Sequence, residues 1–102
     1  MEFKRYFYTN YYVSKCGKVK SIINGKETFL TPQLKNGYLI VKIEGKRVKV
    51  HRMVMICYEF RIDYIYMTVN HLNGIKTDNR FENLEWCTIS ENLKHYHKYL
   101  KK

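Results

Sequence analysis

Turn formers punctuate the first half of this chain so closely that only short strands fit between them. Cys16-Gly17, Asn24-Gly25, Asn36-Gly37 and Gly45 each follow a run rich in β-branched and aromatic residues. Asn-Gly between such runs is a strong hairpin signal, because both residues tolerate the positive φ that a tight turn demands. The runs YYVSK (11–15), KVKSII (18–23), KETFL, YLIVKIE (38–44) and RVKV (47–50) therefore read as strands. Thr31-Pro32 ends the third of them, and Gly45 with Lys46 makes the last two-residue turn. The expectation is one small antiparallel sheet.

The period changes after Val50. Val50, Val54, Cys57 and Tyr58 recur at helical spacing, which predicts a helix over about 51–60. IDYIYM is an irregular connection, TVNHLNG a short strand entering a Gly turn, IKTDNRFEN a polar loop, and LEWCT (84–88) a second strand. Thr88 and Glu91 form the T-x-x-E capping pattern that opens a helix. That helix should run over about 89–99, with Ile89, Leu93, Tyr96 and Leu100 on one face. The fold class is thus α+β. An N-terminal sheet and helix (1–60) is followed by strand, polar loop, strand and helix (61–102), packed as one compact unit.

Charge narrows the partners. Nineteen Lys and Arg against nine Asp and Glu give a formal net charge of +10. That balance favours a polyanion, nucleic acid before an acidic membrane surface, although a basic surface also serves solubility. Alternation in KVKS and RVKV places Lys18, Lys20, Arg47 and Lys49 on one face and Val on the other, with Lys15, Lys42 and Lys46 nearby. Such a face can lie along a nucleic-acid backbone, or can be ordinary amphipathic alternation. The three cysteines, Cys16, Cys57 and Cys87, form no C-x-x-C and leave one thiol unpaired in any disulfide scheme. A reducing, intracellular compartment is expected. MEFKRYFY carries no apolar run of a secretion signal, and VMICYEF is far short of the ~18 residues of a membrane span.

The segment VNHLNGIKTDNRFENLEWCTISEN (69–92) concentrates the chemistry. His71 ends a strand beside Asn70, Asn83 precedes the next strand where it can tie the loop to its own backbone, and Asn92 flanks the apolar stripe of the last helix. A histidine, a loop-pinning Asn and a helix Asn can converge. Phosphodiester hydrolysis needs such a set: a neutral imidazole to deprotonate water near pH 7, and hard oxygen donors for a charge-neutralising cation such as Mg2+. Other accounts exist for each residue. His71 can be a buried, hydrogen-bonded histidine, and Asn92 an exposed polar residue. His51 can cap, pack or take part in catalysis. His95 and His97 fit a solvated basic face or a DNA-backbone contact. Asp78 and Glu82 can ligate metal or solvate the loop. Trp86 fits the core.

The same segment resembles the HNH motif of phage- and intron-encoded homing endonucleases, with their ββα-metal fold. YYVSKCGKVKSI resembles the YxVSxxGxVxS module that precedes the motif in that family, and GYLIVKIEGKRVKVHRMV resembles its GY…V…VHRLV lead-in. The likeness covers about 11 to 95 and includes NGxxxDNRxENLEW. It implies that His71 is the general base, that Asn92 binds the metal through its side-chain oxygen, and that Asn83 braces the loop. Asn70 falls where relatives often carry a metal-binding Asp, so it is the second expected ligand, and the ligand set then lacks a formal negative charge. Weak metal binding until the scissile phosphate joins the site is expected, or else an inactive site. The implied activity is a metal-dependent DNA endonuclease using Mg2+ first and Mn2+ second. The alternative is a catalytically weak DNA-binding protein that keeps the fold. Arg52, Lys76, Arg80 and Lys94 join Lys15, Lys18, Lys20, Arg47 and Lys49 as candidate contacts to double-stranded DNA. No membrane partner is implied. A monomer should nick one strand, and a homodimer would be needed to cut both.

Overall fold

The computed structural model describes residues 2–91. Among these residues, nine short strands accompany the helix α1 (Val50–Tyr58). The first four strands, β1 (Phe3–Arg5), β2 (Tyr11–Ser14), β3 (Val19–Ile23) and β4 (Lys26–Phe29), form an antiparallel meander. Strands β5 (Gln33–Lys35), β6 (Tyr38–Ile43) and β7 (Lys46–Lys49) form a second one. After α1, a 3-10 turn at Tyr64–Tyr66 leads to the hairpin of β8 (Thr68–His71) and β9 (Leu84–Cys87). The class is α+β, antiparallel throughout the described residues.

Two expectations are corrected. The first half makes two sheets, not one. Pro32 has no N–H to donate to a ladder, and the chain leaves β4 at Leu30 and starts a new sheet at Gln33. The last turn is made by Glu44 and Gly45 at φ 52° and 80°, one residue earlier than Gly45-Lys46. It repeats the paired positive φ of Asn24-Gly25 and Asn36-Gly37, the signature of a type I′ hairpin whose twist matches its strands. Strands β1 and β5 carry too weak an alternation to be seen in sequence. The capping pattern is present as two reciprocal bonds, Thr88 N–H to Glu91 Oε1 at 2.8 Å and Glu91 N–H to Thr88 Oγ1 at 3.1 Å. Residues 89–91 begin a helix, and the remainder of the helix expected over 89–99 lies outside the described residues.

The core explains why α1 stays helical without a side-chain N-cap. Val50, Met53 and Val54 are fully buried, and Val13, Val19, Val41, Ile43, Val69 and Leu84 from all three sheets pack into the same cluster. With sheets on several sides, burial of these side chains at ~1.5–3 kcal/mol each outweighs a missing cap worth ~1 kcal/mol. Arg52, on the flank of α1, donates to the Met67 carbonyl at 2.7 Å and the Tyr64 carbonyl at 2.9 Å. The Trp86 indole N–H donates to the Glu59 carbonyl at 2.6 Å. These bonds lash the connection after the helix to the hairpin that carries the polar segment.

Candidate active site

The polar segment owes its shape to Asn83. This side chain is 6% exposed. Its Oδ1 accepts the Asn73 N–H at 3.0 Å, and its Nδ2 donates to Asn73 Oδ1 at 3.0 Å and to the Asp78 carbonyl at 2.9 Å. Its own carbonyl accepts the Leu72 N–H at 2.8 Å. A single buried amide thus closes the loop between β8 and β9 at both ends. Asn73 adds an Asx turn to the Ile75 N–H at 2.9 Å. The loop is also anchored to the first sheet, where the Phe81 N–H donates to the Lys15 carbonyl at 2.7 Å.

His71 lies at the end of β8, 5% exposed. Its Nε2 is 2.9 Å from Asn79 Oδ1. An amide oxygen can only accept, so Nε2 carries the proton and Nδ1 keeps the free lone pair. Burial holds His71 below the ordinary imidazole pKa, against opposing contributions from the Asn79 hydrogen bond and Asp78. The ring is therefore neutral near pH 7. Its face stacks on His51, with centroids 4.8 Å apart, and His51 stacks in turn on Tyr38 at 5.2 Å. Burial, with His71, Lys49 and Arg52 nearby, pushes His51 down to about 3.

Asn79 and Tyr38 were not singled out by sequence reasoning. Asn79 sits among several loop asparagines with nothing local to distinguish it. What sets it apart is structural and lies at Gly17: a Cβ there would meet Asn79 Cβ at 3.0 Å, and its φ of +86° favours glycine. The turn between β2 and β3 thus presses directly on the residue that orients His71.

Asn70 and His71 are consecutive in a strand, so their side chains leave opposite faces of the hairpin. Asn70 pairs in register with Glu85, and its Nδ2 donates to Glu85 Oε1 at 3.1 Å. Asn92 and Lys94 lie outside the described residues, as do His95 and His97. Among the described residues no three His, Cys, Asp or Glu side chains gather as a metal cluster. The donor chemistry nevertheless fits a hard cation at Asn70. This amide is 5% exposed, and no described residue donates to its Oδ1. Burial pushes the Cys57 and Cys87 thiols up to about 11.

The candidate DNA contacts divide into two groups. Lys18, Arg47 and Lys49 are exposed, and Lys49 and Lys76 lie over the Tyr38 ring at 4.6 and 5.0 Å, beside the histidine stack. Lys15 lies over Tyr58 and Phe81. Arg52, Lys20 and Arg80 are held by carbonyl or carboxylate oxygens. Arg52 is bound to two carbonyls, Lys20 pairs with Glu27 and covers the Phe3 ring, and Arg80 makes two 2.8 Å bonds to Asp78 with Glu82 at 3.4 Å. Asp78 is held well below the usual carboxylate range by Arg80. Its charge is thus matched within the loop, which disfavours it as a metal ligand.

Residues 48–94 match a family model described as HNH endonuclease. Two uncharacterised HNH endonucleases of Acanthamoeba polyphaga mimivirus are similar to the chain. They are 39% identical over 94 residues and 38% over 93, covering 86% and 85% of it. The chain spans 23% and 27% of those two proteins. Among solved structures, the HNH homing endonuclease I-HmuI, described for DNA binding and cleavage, superposes with a TM-score of 0.79 at 32% identity. That match covers 97% of this chain and 59% of I-HmuI.

Proposed function

The chain belongs to the HNH endonuclease family, and on that premise we propose that it is a divalent-metal-dependent DNA endonuclease that hydrolyses phosphodiester bonds. The observation that carries the reading is the state of His71. Its Nε2–H is fixed on Asn79 and burial keeps the ring neutral, so Nδ1 is a base able to take a proton from water near pH 7. The attacking oxygen adds to phosphorus and the 3′-oxygen leaves. Asn92 and Asn70 are the proposed ligands, both through amide oxygens, for Mg2+ or, second, Mn2+. The ion, when bound, offsets the charge that develops on the phosphate and the leaving oxygen. The net charge of +10 supports a double-stranded DNA partner, with Lys18 beside the first sheet and Arg47 and Lys49 on the second as exposed cations. Asn83 is proposed to brace the loop. A monomer carries one site and nicks, and a homodimer would cut both strands. An intracellular location fits the cysteine usage.

A second reading, a DNA-binding protein with weak or no cleavage, is favoured by one observation. His71 is 5% exposed, so a water and a phosphate reach it only if the site opens on DNA, and it projects from the opposite face to Asn70. Nicking of supercoiled plasmid by the wild type and His71→Ala, in Mg2+, Mn2+ and EDTA, separates the two. Metal-dependent nicking that His71→Ala lowers ~10²–10⁴-fold, with DNA binding retained, supports the enzyme. Binding without nicking in any metal supports the second reading.

A further inference from the structure

We propose that Glu85 is a positioning residue for the metal site, turning the Asn70 amide oxygen away from its own carboxylate and supplying the negative charge that Asn70 lacks. The inference rests on the nuclease reading above and deepens it.

The two residues are register partners on β8 and β9, so their side chains share one face of the hairpin. Asn70 Nδ2 donates to Glu85 Oε1 at 3.1 Å. An ionised carboxylate only accepts hydrogen bonds. It therefore selects one of the two amide orientations: the NH2 faces Glu85, and Oδ1 faces away. The reverse orientation would set oxygen against oxygen and leave a buried NH2 without this acceptor. The outcome is that the hard oxygen, the atom suited to Mg2+ or Mn2+, is the end of this buried amide that Glu85 does not engage. No described residue donates to it.

Charge points the same way. In a chain of net charge +10, no Lys or Arg among the described residues lies within ion-pair distance of Glu85. The loop carboxylate Asp78, by contrast, is matched by Arg80. Glu85 thus keeps its negative field one hydrogen bond from a neutral ligand. Partners of this kind orient metal ligands, and their loss commonly lowers metal affinity 10–100-fold.

The test is Mn2+ binding to the full chain on a short DNA duplex, followed by the loss of the free-Mn2+ electron paramagnetic resonance signal. Glu85→Gln is exposed and near-isosteric, so folding is retained, and its amide can present either end to Asn70. It should weaken Mn2+ binding at least ~10-fold while duplex affinity without metal holds or rises. Asn70→Asp combined with Glu85→Gln moves the carboxylate across the pair and should restore binding to within ~3-fold of wild type. Mn2+ affinity in Glu85→Gln within twofold of a measurable wild-type value would overturn this inference alone. No Mn2+ uptake by the wild type on duplex would overturn the nuclease reading and this inference with it.

Discussion

The imidazoles of His51 and His71 stack with ring centroids 4.8 Å apart and 23° between their planes, both nearly excluded from solvent. One comes from α1 and the other from β8, so the helix that organises the core also provides the wall against which the proposed base rests. Neither ring can take a proton cheaply. A cation on either would be desolvated, and the groups facing His51 include the cations Lys49 and Arg52.

This has a consequence for acid stability. The folded pKa of His51, about 3, lies below the ordinary 6.5. As pH falls through 6.5 the unfolded chain takes up the proton and the folded chain does not, so unfolding is favoured increasingly until the folded value is reached. His51 alone should remove on the order of 4 kcal/mol between pH 7 and 3, and His71, lowered in the same direction, adds to it. Urea unfolding across this range should therefore show a steep loss in the wild type and a shallower one in His51→Phe, which keeps a ring for stacking and cannot titrate. Equal slopes in the two proteins would mean that the buried imidazole is not the group responsible.

The 2.9 Å contact between His71 Nε2 and Asn79 Oδ1 leads to a prediction for the reaction. Asn79→Asp places a carboxylate at that contact and stabilises the imidazolium, so the pKa of His71 rises. The fraction of His71 free to act as base then falls at any given acidic pH. The acid limb of the pH–nicking profile should move to higher pH, with activity recovering on the alkaline side. Asn79→Leu, which removes the acceptor and leaves Nε2–H unmatched, should lower the rate at all pH values without moving the limb upward.

Legibility differed by residue for physical reasons. Asn24-Gly25 and Asn36-Gly37 announce their hairpins because two adjacent positive-φ residues are a local requirement, satisfied by local chemistry. Thr88 and Glu91 announce a helix start in the same way. The division into two sheets was not legible, because it depends on how the segment after Pro32 packs rather than on any pattern within it. At the site, His71 and Asn83 stood out by residue type and spacing. Asn79, Glu85 and the His51 stack did not, because each is defined by a partner far away in sequence or across a strand pair.

Gly17 tests the link between the first sheet and the loop. Gly17→Ala combines a φ of +86° with a Cβ 3.0 Å from Asn79 Cβ. Backbone strain of ~1–3 kcal/mol is expected, and the Asn79 side must give way by several tenths of an ångström. Thermal unfolding should register the strain. Nicking of plasmid should fall more than stability explains, because the displaced residue is the one that orients His71.

Asn83→Ala should be more costly. It removes three side-chain hydrogen bonds and leaves the Asn73 N–H and the Asp78 carbonyl without them in a closed loop. A loss of about 3 kcal/mol is expected from denaturant unfolding. Hydrogen exchange should localise the effect to the Leu72 and Asn73 amides. Protection there unchanged from wild type would show that the loop is held by other contacts.

The basic residues make the last prediction, because the structure separates cations with matched charge from cations without. Lys18, Arg47 and Lys49 are exposed, and no acidic partner lies within ion-pair distance of them among the described residues. Lys20 and Arg80 face Glu27 and Asp78, so moving either to a phosphate exchanges one ion pair for another. Each residue that neutralises a phosphate contributes about one unit to the slope of log affinity against log salt. Arg47→Ala and Lys49→Ala should each reduce that slope by about one for duplex DNA. Lys20→Ala and Arg80→Ala should reduce it by much less. A uniform reduction across all four would mean that the internal pairs open on DNA, and that net charge rather than the exposed sheet face governs binding.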